Sequence, residues 1–284
     1  MTDPRTTPAR PDLAASTLKG KVEAARFVDD VVKTVRVGRA PLHVEPSAAS
    51  MRDTELLYGE RFTVFEEKDG WSWGQAARDD YVGYAPSASL SDPDPQADHR
   101  ITALSTPLLR QPSLKTSPID MLPLNARVKV TGREAKCFQI EGGGFIYEKH
   151  IAPLAHRAPD WVAIAERFLG VPYVWGGRTL AGLDCSGLIQ TALEAGGILV
   201  PRDSDQQEAA LAESTIVTPA DLTGLRRGDI VFWNEHVGVL IDEAHLLHAN
   251  GFYGEVAIEP FRTAVDRIAA TGNAITSIKR FTRA

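Results

Sequence analysis

The sequence predicts two small all-β barrels followed by an α+β domain, and three observations support this prediction. From residue 34 to residue 90, short alternating runs are separated by Gly-containing turns, a pattern typical of a small barrel. A weaker copy of the pattern begins about 65 residues later. From about residue 155, helical periodicity comes first and short apolar strands follow, which is the order expected of an α+β domain.

Composition describes an ordinary globular protein. The length of 284 residues suggests about two domains by size alone, and 43% apolar with 24% charged residues is an average balance. The net charge of −6 argues against a nucleic-acid partner. Because no apolar run approaches ~18 residues, we also expect no membrane partner.

The N-terminal region, residues 1–35, is predicted to be a polar tail followed by a short helical segment from Leu18 to Val35. The tail lacks the apolar core, roughly 7–15 residues long, of a secretory signal. The chain has 2 cysteines, Cys137 and Cys185, which we expect to be unpaired. Both features favour a reducing compartment, and the expected localisation is cytoplasmic.

The two barrels are assigned to residues 36–92 and 98–154. A Pro- and Asp-rich stretch lies between them and marks a domain boundary. The first copy carries aromatic residues that the second largely lacks, which indicates that the first barrel contacts a ligand. These aromatics are Trp71, Trp73, Tyr81 and Tyr84.

The third domain, residues 155–284, holds the residues with chemistry. A Tyr- and Trp-containing turn at 172–177 precedes Cys185, which falls in the first turn of a predicted helix. His236 and His248 follow on predicted strands. A helix N-terminus and a neighbouring imidazolium both favour a thiolate. A cysteine, a base and a group that orients the base are the minimal set for acyl transfer through a thioester.

In this domain the chain resembles the NlpC-type peptidases, which are papain-like cysteine peptidases that cut peptides of bacterial peptidoglycan. The resemblance rests on six motifs in the family's order: Pro-Tyr-x-Trp-Gly-Gly (172–177), Asp-Cys-Ser-Gly (184–187), Pro-Arg-Asp-Ser-x-Gln-Gln (201–207), Gly-Asp-Ile-Val-Phe-Trp (228–233), His-Val-Gly (236–238) and Leu-His-Ala (247–249). With tandem barrels before it, the chain resembles the branch that carries bacterial SH3-like domains. That branch hydrolyses the bond between γ-D-glutamate and a diamino acid in peptides with a free N-terminal L-alanine.

The resemblance implies a role for each residue of the triad. Cys185 is the nucleophile, His236 the general base, and His248 the polar partner that orients His236. The Cys185 N–H is expected to stabilise the oxyanion, and Tyr173 to add a side-chain donor near the scissile carbonyl. The implied substrate is a murein peptide, L-Ala-γ-D-Glu-diamino acid, and the implied role is the recycling of cell-wall fragments by a monomer.

The same resemblance implies a substrate pocket for the charged ends of the peptide. In the third domain its residues are Asp184, Ser186, Asp203 and Ser204, with Asp203 the main candidate for the free amine. In the first barrel, Glu60 and Tyr81 match positions that help close the alanine end of the groove. Alternatives stay open there: Glu60 is also suited to a surface ion pair, Glu55 competes with it, and Tyr81 is also suited to the barrel core.

The sequence also bears on metal and cofactor binding and on alternative functions. We expect no metal and no cofactor, because the Cys and His spacing lacks a paired-ligand motif and the glycines at 142–144 lack a phosphate-loop context. One alternative function is an acyltransferase or amidase on the same fold, although Cys185 precedes His236 here. Another is a non-catalytic protein that binds cell-wall peptides. Trp175 and Trp233 are predicted to be core aromatics.

Overall fold

The computed structural model describes residues 3–93, 96–211, 215–217 and 222–281. The chain divides into two compact units, Met1–His156 and Arg157–Ala284. Within the described ranges, no helix is long and apolar enough to cross a lipid bilayer.

The first part of the N-terminal unit is built on a seven-stranded antiparallel sheet with a short parallel pair beside it. The strands are β1 (Ala14–Ala15), β2 (Phe27–Val28), β3 (Val31–Val35), β4 (Arg39–His43), β5 (Arg52–Leu57), β6 (Arg61–Lys68), β7 (Trp71–Ala76), β8 (Val82–Pro86) and β9 (Leu90–Ser91). Strands β1 and β2 form the parallel pair, and the larger sheet has the order β5-β4-β8-β7-β6-β3-β9. The sheet encloses its own apolar core, which contains Leu42, Phe62 and Tyr81.

The prediction of a helical segment from Leu18 to Val35 is wrong. Residues Ser16–Leu18 form a single 3-10 turn, and Val31–Val35 form β3. Three of the five residues in β3 are valines and a fourth is threonine, side chains that suit a strand better than a helix. Pairing of β3 with β6 then buries Thr34 and Val35, which supplies the stabilisation that an isolated short helix lacks.

The chain's own N-terminal segment covers the aromatic face of the first barrel. The Arg10 guanidinium lies 4.4 Å from the centre of the Trp73 ring and donates hydrogen bonds to the Tyr84 hydroxyl at 2.7 Å and to Glu66 at 2.6 Å. Tyr81 belongs to the core instead, with 4% of its surface exposed. The aromatic residues that set this barrel apart therefore have structural partners within the chain.

A second β-structure with a separate core completes the N-terminal unit. Its strands are β10 (His99–Ile101), β11 (Ser105–Leu109), β12 (Pro118–Pro123), β13 (Arg127–Val128), β14 (Val130–Glu134), β15 (Cys137–Ile140), β16 (Phe145–Tyr147) and β17 (Ile151–Pro153). The order β12-β11-β16-β15-β14 is the order β5-β4-β8-β7-β6 of the first sheet when strands are matched along the chain. The sequence repeat thus corresponds to a repeat in strand order.

The described residues of the C-terminal unit form four helices and a six-stranded antiparallel sheet. Its helices are α1 (Trp161–Glu166), α2 (Cys185–Ala195), α3 (Ser204–Ala210) and α4 (Phe261–Ala269). Its strands are β18 (Arg178–Thr179), β19 (Gly182–Leu183), β20 (Thr215–Val217), β21 (Ile230–Trp233), β22 (His236–Leu240), β23 (His245–Asn250), β24 (Glu255–Pro260) and β25 (Ile275–Lys279). The sheet has the order β20-β25-β21-β22-β23-β24, and β18 pairs with β19.

Helix α2 is the central element of this unit and packs against β22 and β23. The sequence predicts one apolar face, yet every residue of the helix is buried. Two of its polar side chains have partners inside the protein: Thr191 donates to a backbone carbonyl at 3.3 Å, and Glu194 pairs with the buried Arg178 at 3.6 Å. Trp233 is buried as predicted. The prediction for Trp175 is wrong, since 57% of its surface is exposed.

Two glycines allow α2 to approach the loop before it. A Cβ atom at Gly187 would lie 2.1 Å from the carbonyl oxygen of Gly177, a separation that real atoms do not reach. A Cβ at Gly177 would lie 2.4 Å from the carbonyl oxygen of Gly182. The glycines of the Trp-Gly-Gly and Cys-Ser-Gly motifs are therefore required by backbone contact, and they place the start of α2 against the loop.

Candidate active site

The start of α2 fixes the position of Cys185. Asp184 is the N-cap in extended conformation, and its Oδ1 accepts a hydrogen bond from the Gly187 N–H at 2.7 Å. Cys185 is the first helical residue and is 7% exposed. The first backbone N–H groups of a helix have no intrahelical acceptor, so they favour negative charge at this end. The predicted helix start at Cys185 is confirmed.

The Asp184 carboxylate joins three segments of the chain. Its Oδ2 accepts from the Gly176 N–H at 2.8 Å, and the Arg202 guanidinium donates to Oδ1 at 3.0 Å and to Oδ2 at 2.6 Å. The Arg202 side chain is 1% exposed. Both oxygens of Asp184 are thus engaged within the protein, and the carboxylate ties the helix start to the aromatic loop and to the segment before α3.

Arg202 is a site residue to which the sequence analysis gave no role. Besides binding Asp184, it donates to the Ser186 Oγ at 2.8 Å. Gln207 fixes the same corner, since its Nε2 donates to the backbone carbonyls of Ser186 and Pro201 at 3.1 and 3.0 Å. Arg202 lies inside the Pro-Arg-Asp-Ser motif. A basic residue among acidic and hydroxyl side chains is the feature of the sequence that indicates a role for it in the site.

His236 and His248 meet as the sequence predicts, on neighbouring antiparallel strands. The Nε2 of His236 lies 2.8 Å from the Nδ1 of His248. A Cβ atom at Gly238 would lie 3.1 Å from the Cβ of His248 and 2.9 Å from a methyl group of Leu246. The glycine in His-Val-Gly therefore leaves the space in which the second imidazole sits.

A buried carboxylate continues the row beyond His248. The Nε2 of His248 lies 2.8 Å from Oε1 of Glu259 on β24, and the Arg267 guanidinium of α4 binds the same oxygen. Glu259 is not recognisable from the sequence, because this glutamate alternates with Val256 and Ile258, a pattern that predicts a solvent-facing position. In the structure Glu259 is 3% exposed, since α4 returns across this edge of the sheet.

Burial favours the neutral forms of both the thiol and the imidazoles. It raises the pKa of Cys185 to about 12, helped by the nearby Asp184 charge and opposed by backbone N–H groups of Val237 and Ser186. Burial also lowers the pKa of His236, and the positive charges of His248 and Arg267 lower it further. Burial therefore opposes the thiolate that the helix terminus favours, and it opposes the imidazolium form of His236.

The thiol lies at the beginning of β22. The backbone N–H groups of Val237 and Ser186 lie close enough to the sulfur to favour its thiolate form. Val237 directly follows His236, so this contact fixes Cys185 to the strand that carries the base. Contacts between a nucleophile and its base often shorten only when substrate binds.

Tyr173 belongs to a loop that backbone contacts fix beside the cysteine. Its N–H donates to the Gly254 carbonyl at 2.8 Å, and it forms an isolated parallel bridge with Leu183. The pKa of the Tyr173 hydroxyl is raised by burial and by the negative charges that Cys185 and Asp184 can carry. A phenol that keeps its proton near the thiol is suited to donate a hydrogen bond to a developing oxyanion.

Asp203 and Ser204 begin helix α3. Asp203 is the N-cap and forms a capping box with Gln206, whose Oε1 accepts from the Asp203 N–H at 3.5 Å. Asp203 is half-buried, whereas Ser204 is buried. The Asp203 carboxylate thus has a structural role in starting α3, one residue after the arginine that binds Asp184.

Glu60 and Tyr81 lie in the N-terminal unit. Glu60 is 3% exposed, its Oε2 accepts from the Leu57 N–H at 3.0 Å, and it borders a cavity of about 230 Å³. Glu60 is therefore a buried residue of the barrel and not a solvent-exposed one. The competitor Glu55 is also buried and pairs with Arg39 at 2.6 Å and with Arg52 at 3.0 Å. Tyr81 packs in the barrel core, the structural alternative for this residue.

Among the described residues, no group of three or more His, Cys, Asp and Glu side chains has an arrangement that could hold a metal ion. The groups available for chemistry at the site are a buried thiol, two imidazoles and hydrogen-bond donors.

Comparison with known families agrees with this chemistry. Residues 170–270 match the NlpC/P60 family, and residues 42–90 match the bacterial dipeptidyl-peptidase SH3 domain. The chain carries an NlpC/P60 cysteine-peptidase domain. The matched segment includes Cys185, His236 and His248, so this NlpC/P60 domain contains the three residues that the sequence predicts to act together. The SH3 match falls on the first barrel.

Relatives of this chain include a gamma-D-glutamyl-L-lysine dipeptidyl-peptidase from Bacillus cereus, 26% identical over 76% of this chain and 72% of the relative. The peptidoglycan endopeptidase RipB from Mycobacterium tuberculosis is 34% identical over 34% of this chain and 44% of the relative. A solved NlpC/P60 family protein from Bacillus cereus has the same fold, with a TM-score of 0.72, 19% identity and coverage of 89% of this chain and all of the other.

Replacement of Arg202 by alanine is expected to lower the free energy of unfolding by about 3–5 kcal/mol, because Asp184 would stay buried without its counter-charge. Arg227 provides the matched control. It also pairs with carboxylates, Asp160 and Glu166, but its side chain is 36% exposed. Arg227→Ala should cost no more than about 1 kcal/mol. Denaturant unfolding of both variants measures the difference, and equal losses would contradict a special role for the buried pair.

Acid should destabilise the fold from about pH 6.5 downward through the buried histidines. Their pKa in the folded chain is lowered from the usual 6.5, so below that pH the unfolded chain binds more protons and stability falls. His248→Gln removes one such group and should reduce the loss between pH 7 and pH 5 by about 1–2 kcal/mol. Thermal unfolding across this range measures the slope. Exposed His245 is the control, and a slope for His248→Gln equal to that of His245→Gln would refute the argument.

Proposed function

We propose that this protein hydrolyses the bond between γ-D-glutamate and a diamino acid in cell-wall peptides that begin with a free L-alanine. The observation that carries the proposal is the buried Cys185 at the start of α2, fixed to the strand whose first residue is His236, with His248 at 2.8 Å from that base. This arrangement supplies a nucleophile, a base and an orienting group for acyl transfer.

The reaction begins when substrate brings the scissile carbonyl to the thiol. His236 accepts the thiol proton as the sulfur attacks the carbonyl carbon, so charge separates only during reaction. The carbonyl oxygen becomes an oxyanion, for which the Cys185 N–H and the Tyr173 hydroxyl are the donors. The C–N bond then breaks as His236 delivers the proton to the departing amine, which leaves a thioester on Cys185.

Hydrolysis completes the cycle. His236, neutral again, accepts a proton from a water molecule that attacks the thioester carbonyl. The C–S bond breaks and the proton returns to the sulfur, so the released acid carries the new carboxyl group and the thiol is restored. A neutral His236 is suited to these steps, because the same imidazole first accepts a proton, then donates it, and then accepts another.

The substrate assignment is supported by the relatives. The Bacillus cereus relative is named a gamma-D-glutamyl-L-lysine dipeptidyl-peptidase, and the match with it spans 76% of this chain. The SH3 match also carries a dipeptidyl-peptidase description. Release of a dipeptide requires a site that recognises a free amine two residues before the cut. Asp203 is the acidic residue that we assign to that amine, and the roles of Glu60 and Tyr81 at the alanine end remain predictions.

The proposal extends to the second β-structure, to the cellular location and to the oligomeric state. The second β-structure is taken as a second SH3-like copy, because it has the same order of five strands as the first. The enzyme is taken to act on released fragments inside the cell, where the free thiols of Cys137 and Cys185 would stay reduced. It is taken to work as a monomer.

Replacement of Cys185 by alanine is expected to lower kcat by about four orders of magnitude or more, because the covalent step would be lost. Cys137→Ala is the matched control, since Cys137 is the other buried free cysteine and lies on β15. It should keep kcat within about twofold. Release of the dipeptide from L-Ala-γ-D-Glu-L-Lys and from the diaminopimelate analogue measures both variants. Turnover by Cys185→Ala near the wild-type rate would refute the mechanism.

N-acetylation of the substrate is expected to lower kcat/KM by about 100-fold or more, because an acidic site would lose its ammonium partner. In Asp203→Asn the ratio between free and acetylated peptide should fall toward one, since the amide does not distinguish the two by charge. Equal rates for the two peptides with the wild-type enzyme would show that the site does not read the free amine. An unchanged ratio in Asp203→Asn would assign that task to another residue.

A further inference from the structure

Four side chains form an unbroken row across one edge of the C-terminal sheet. His236 is on β22, His248 on β23, Glu259 on β24 and Arg267 on α4. The Nε2 of His236 lies 2.8 Å from the Nδ1 of His248, and the Nε2 of His248 lies 2.8 Å from the Oε1 of Glu259. Arg267 binds the same oxygen of Glu259. Glu259 and His248 are 3% and 0% exposed. Water therefore does not compete for the hydrogen bond between His248 and Glu259.

The row has a direction, because a carboxylate can only accept hydrogen bonds. Glu259 accepts from His248, so the proton of His248 is on Nε2. In a neutral imidazole the other nitrogen, Nδ1, then carries a lone pair. That lone pair accepts from His236, so the His236 proton is on Nε2 as well. The remaining His236 nitrogen, Nδ1, is left as the acceptor.

We propose that Glu259 is the positioning residue of the active site, which sets the tautomer of His248 and through it leaves Nδ1 of His236 as the base for the thiol. This inference rests on the proposed cysteine chemistry and extends it by one residue. Without the carboxylate, His248 is free to take the opposite tautomer and to donate from Nδ1. His236 would then accept at Nε2 and carry its proton on Nδ1, the wrong nitrogen for a base.

Arg267 and Tyr253 hold the carboxylate in place. The Tyr253 hydroxyl donates to Glu259 Oε2 at 3.4 Å, and the Arg267 guanidinium lies 4.3 Å from the centre of the exposed Phe252 ring. These are the charged and titratable groups that face Glu259 from neighbouring elements: His248 from β23, Tyr253 from the turn before β24, and Arg267 from α4. The carboxylate thus has one oxygen for His248 and Arg267 and one for Tyr253.

The test compares Glu259→Gln with Glu259→Ala. A glutamine keeps an oxygen for His248 and Arg267 and presents its NH₂ group to the Tyr253 hydroxyl, whereas alanine removes the acceptor. The readout is the rate of iodoacetamide reaction at Cys185 in the full-length protein, followed by mass spectrometry from pH 5 to pH 10. Alkylation needs the base but no peptide, so it reports on Glu259 even if the substrate assignment fails.

At pH 7, Glu259→Ala is expected to react about tenfold or more slowly than the wild type, with its profile displaced to higher pH because the thiol must ionise unaided. Glu259→Gln is expected to stay within about threefold. Glu255, exposed on the same strand, is the matched control, and Glu255→Ala should react at the wild-type rate. Equal loss in Glu259→Gln and Glu259→Ala, or no loss in either, would overturn the proposal.

The same substitution in the His248→Gln variant distinguishes a positioning role of Glu259 from a role in stabilising the fold. A glutamine at position 248 has no tautomer to set, so adding Glu259→Ala to His248→Gln should cause no further loss of rate beyond about twofold. A further tenfold loss would mean that Glu259 acts other than through His248. Should Glu259→Ala fail to fold, ¹⁵N NMR of the imidazoles in the wild type decides the matter. Protons on Nε2 of both rings are expected, and a proton on Nδ1 of His236 would refute the proposal.

Discussion

The structure around the nucleophile depends on the buried ion pair between Asp184 and Arg202. The carboxylate accepts from the N–H groups of Gly176 and Gly187 and from two nitrogens of Arg202, with the pair 7% and 1% exposed. A buried charge is tolerated only when its hydrogen bonds are complete. Completing them brings together the aromatic loop, the start of α2 and the segment before α3. The position of Cys185 follows, because it is the next residue in the chain.

Burial of the site also opposes the charged forms of its thiol and imidazoles. A helix N-terminus favours a thiolate, but at this depth desolvation of the thiol and of the imidazoles is the larger effect, and it raises the pKa of Cys185 while lowering that of His236. In the neutral form that burial favours, an imidazole has one basic nitrogen, so the direction of hydrogen bonding along the row is important. The Glu259 carboxylate at the far end of the row then affects which nitrogen of His236 is basic.

The N-terminal unit shows how one strand order accommodates different side chains. Five strands follow the same order in both halves, yet the first half uses Trp73 and Tyr84 to receive Arg10 from the N-terminal segment. The aromatic residues that suggested a ligand in the first barrel have an intramolecular explanation. Local pattern identified the barrel strands well, because alternation and turns are encoded within a few residues of each other.

The sequence by itself determined the β-rich N-terminal half, the helix that begins at Cys185, and the strands that carry the two histidines, since periodicity and capping are local properties. Tertiary structure decided the rest. β3 formed where a helix was predicted, because pairing with β6 buries Thr34 and Val35. Arg202 and Glu259 became site residues only through contacts 18 positions away at Asp184 and 11 positions away at His248. A charged residue looks solvent-exposed in a sequence, and only the packed chain supplies the partner that allows its burial.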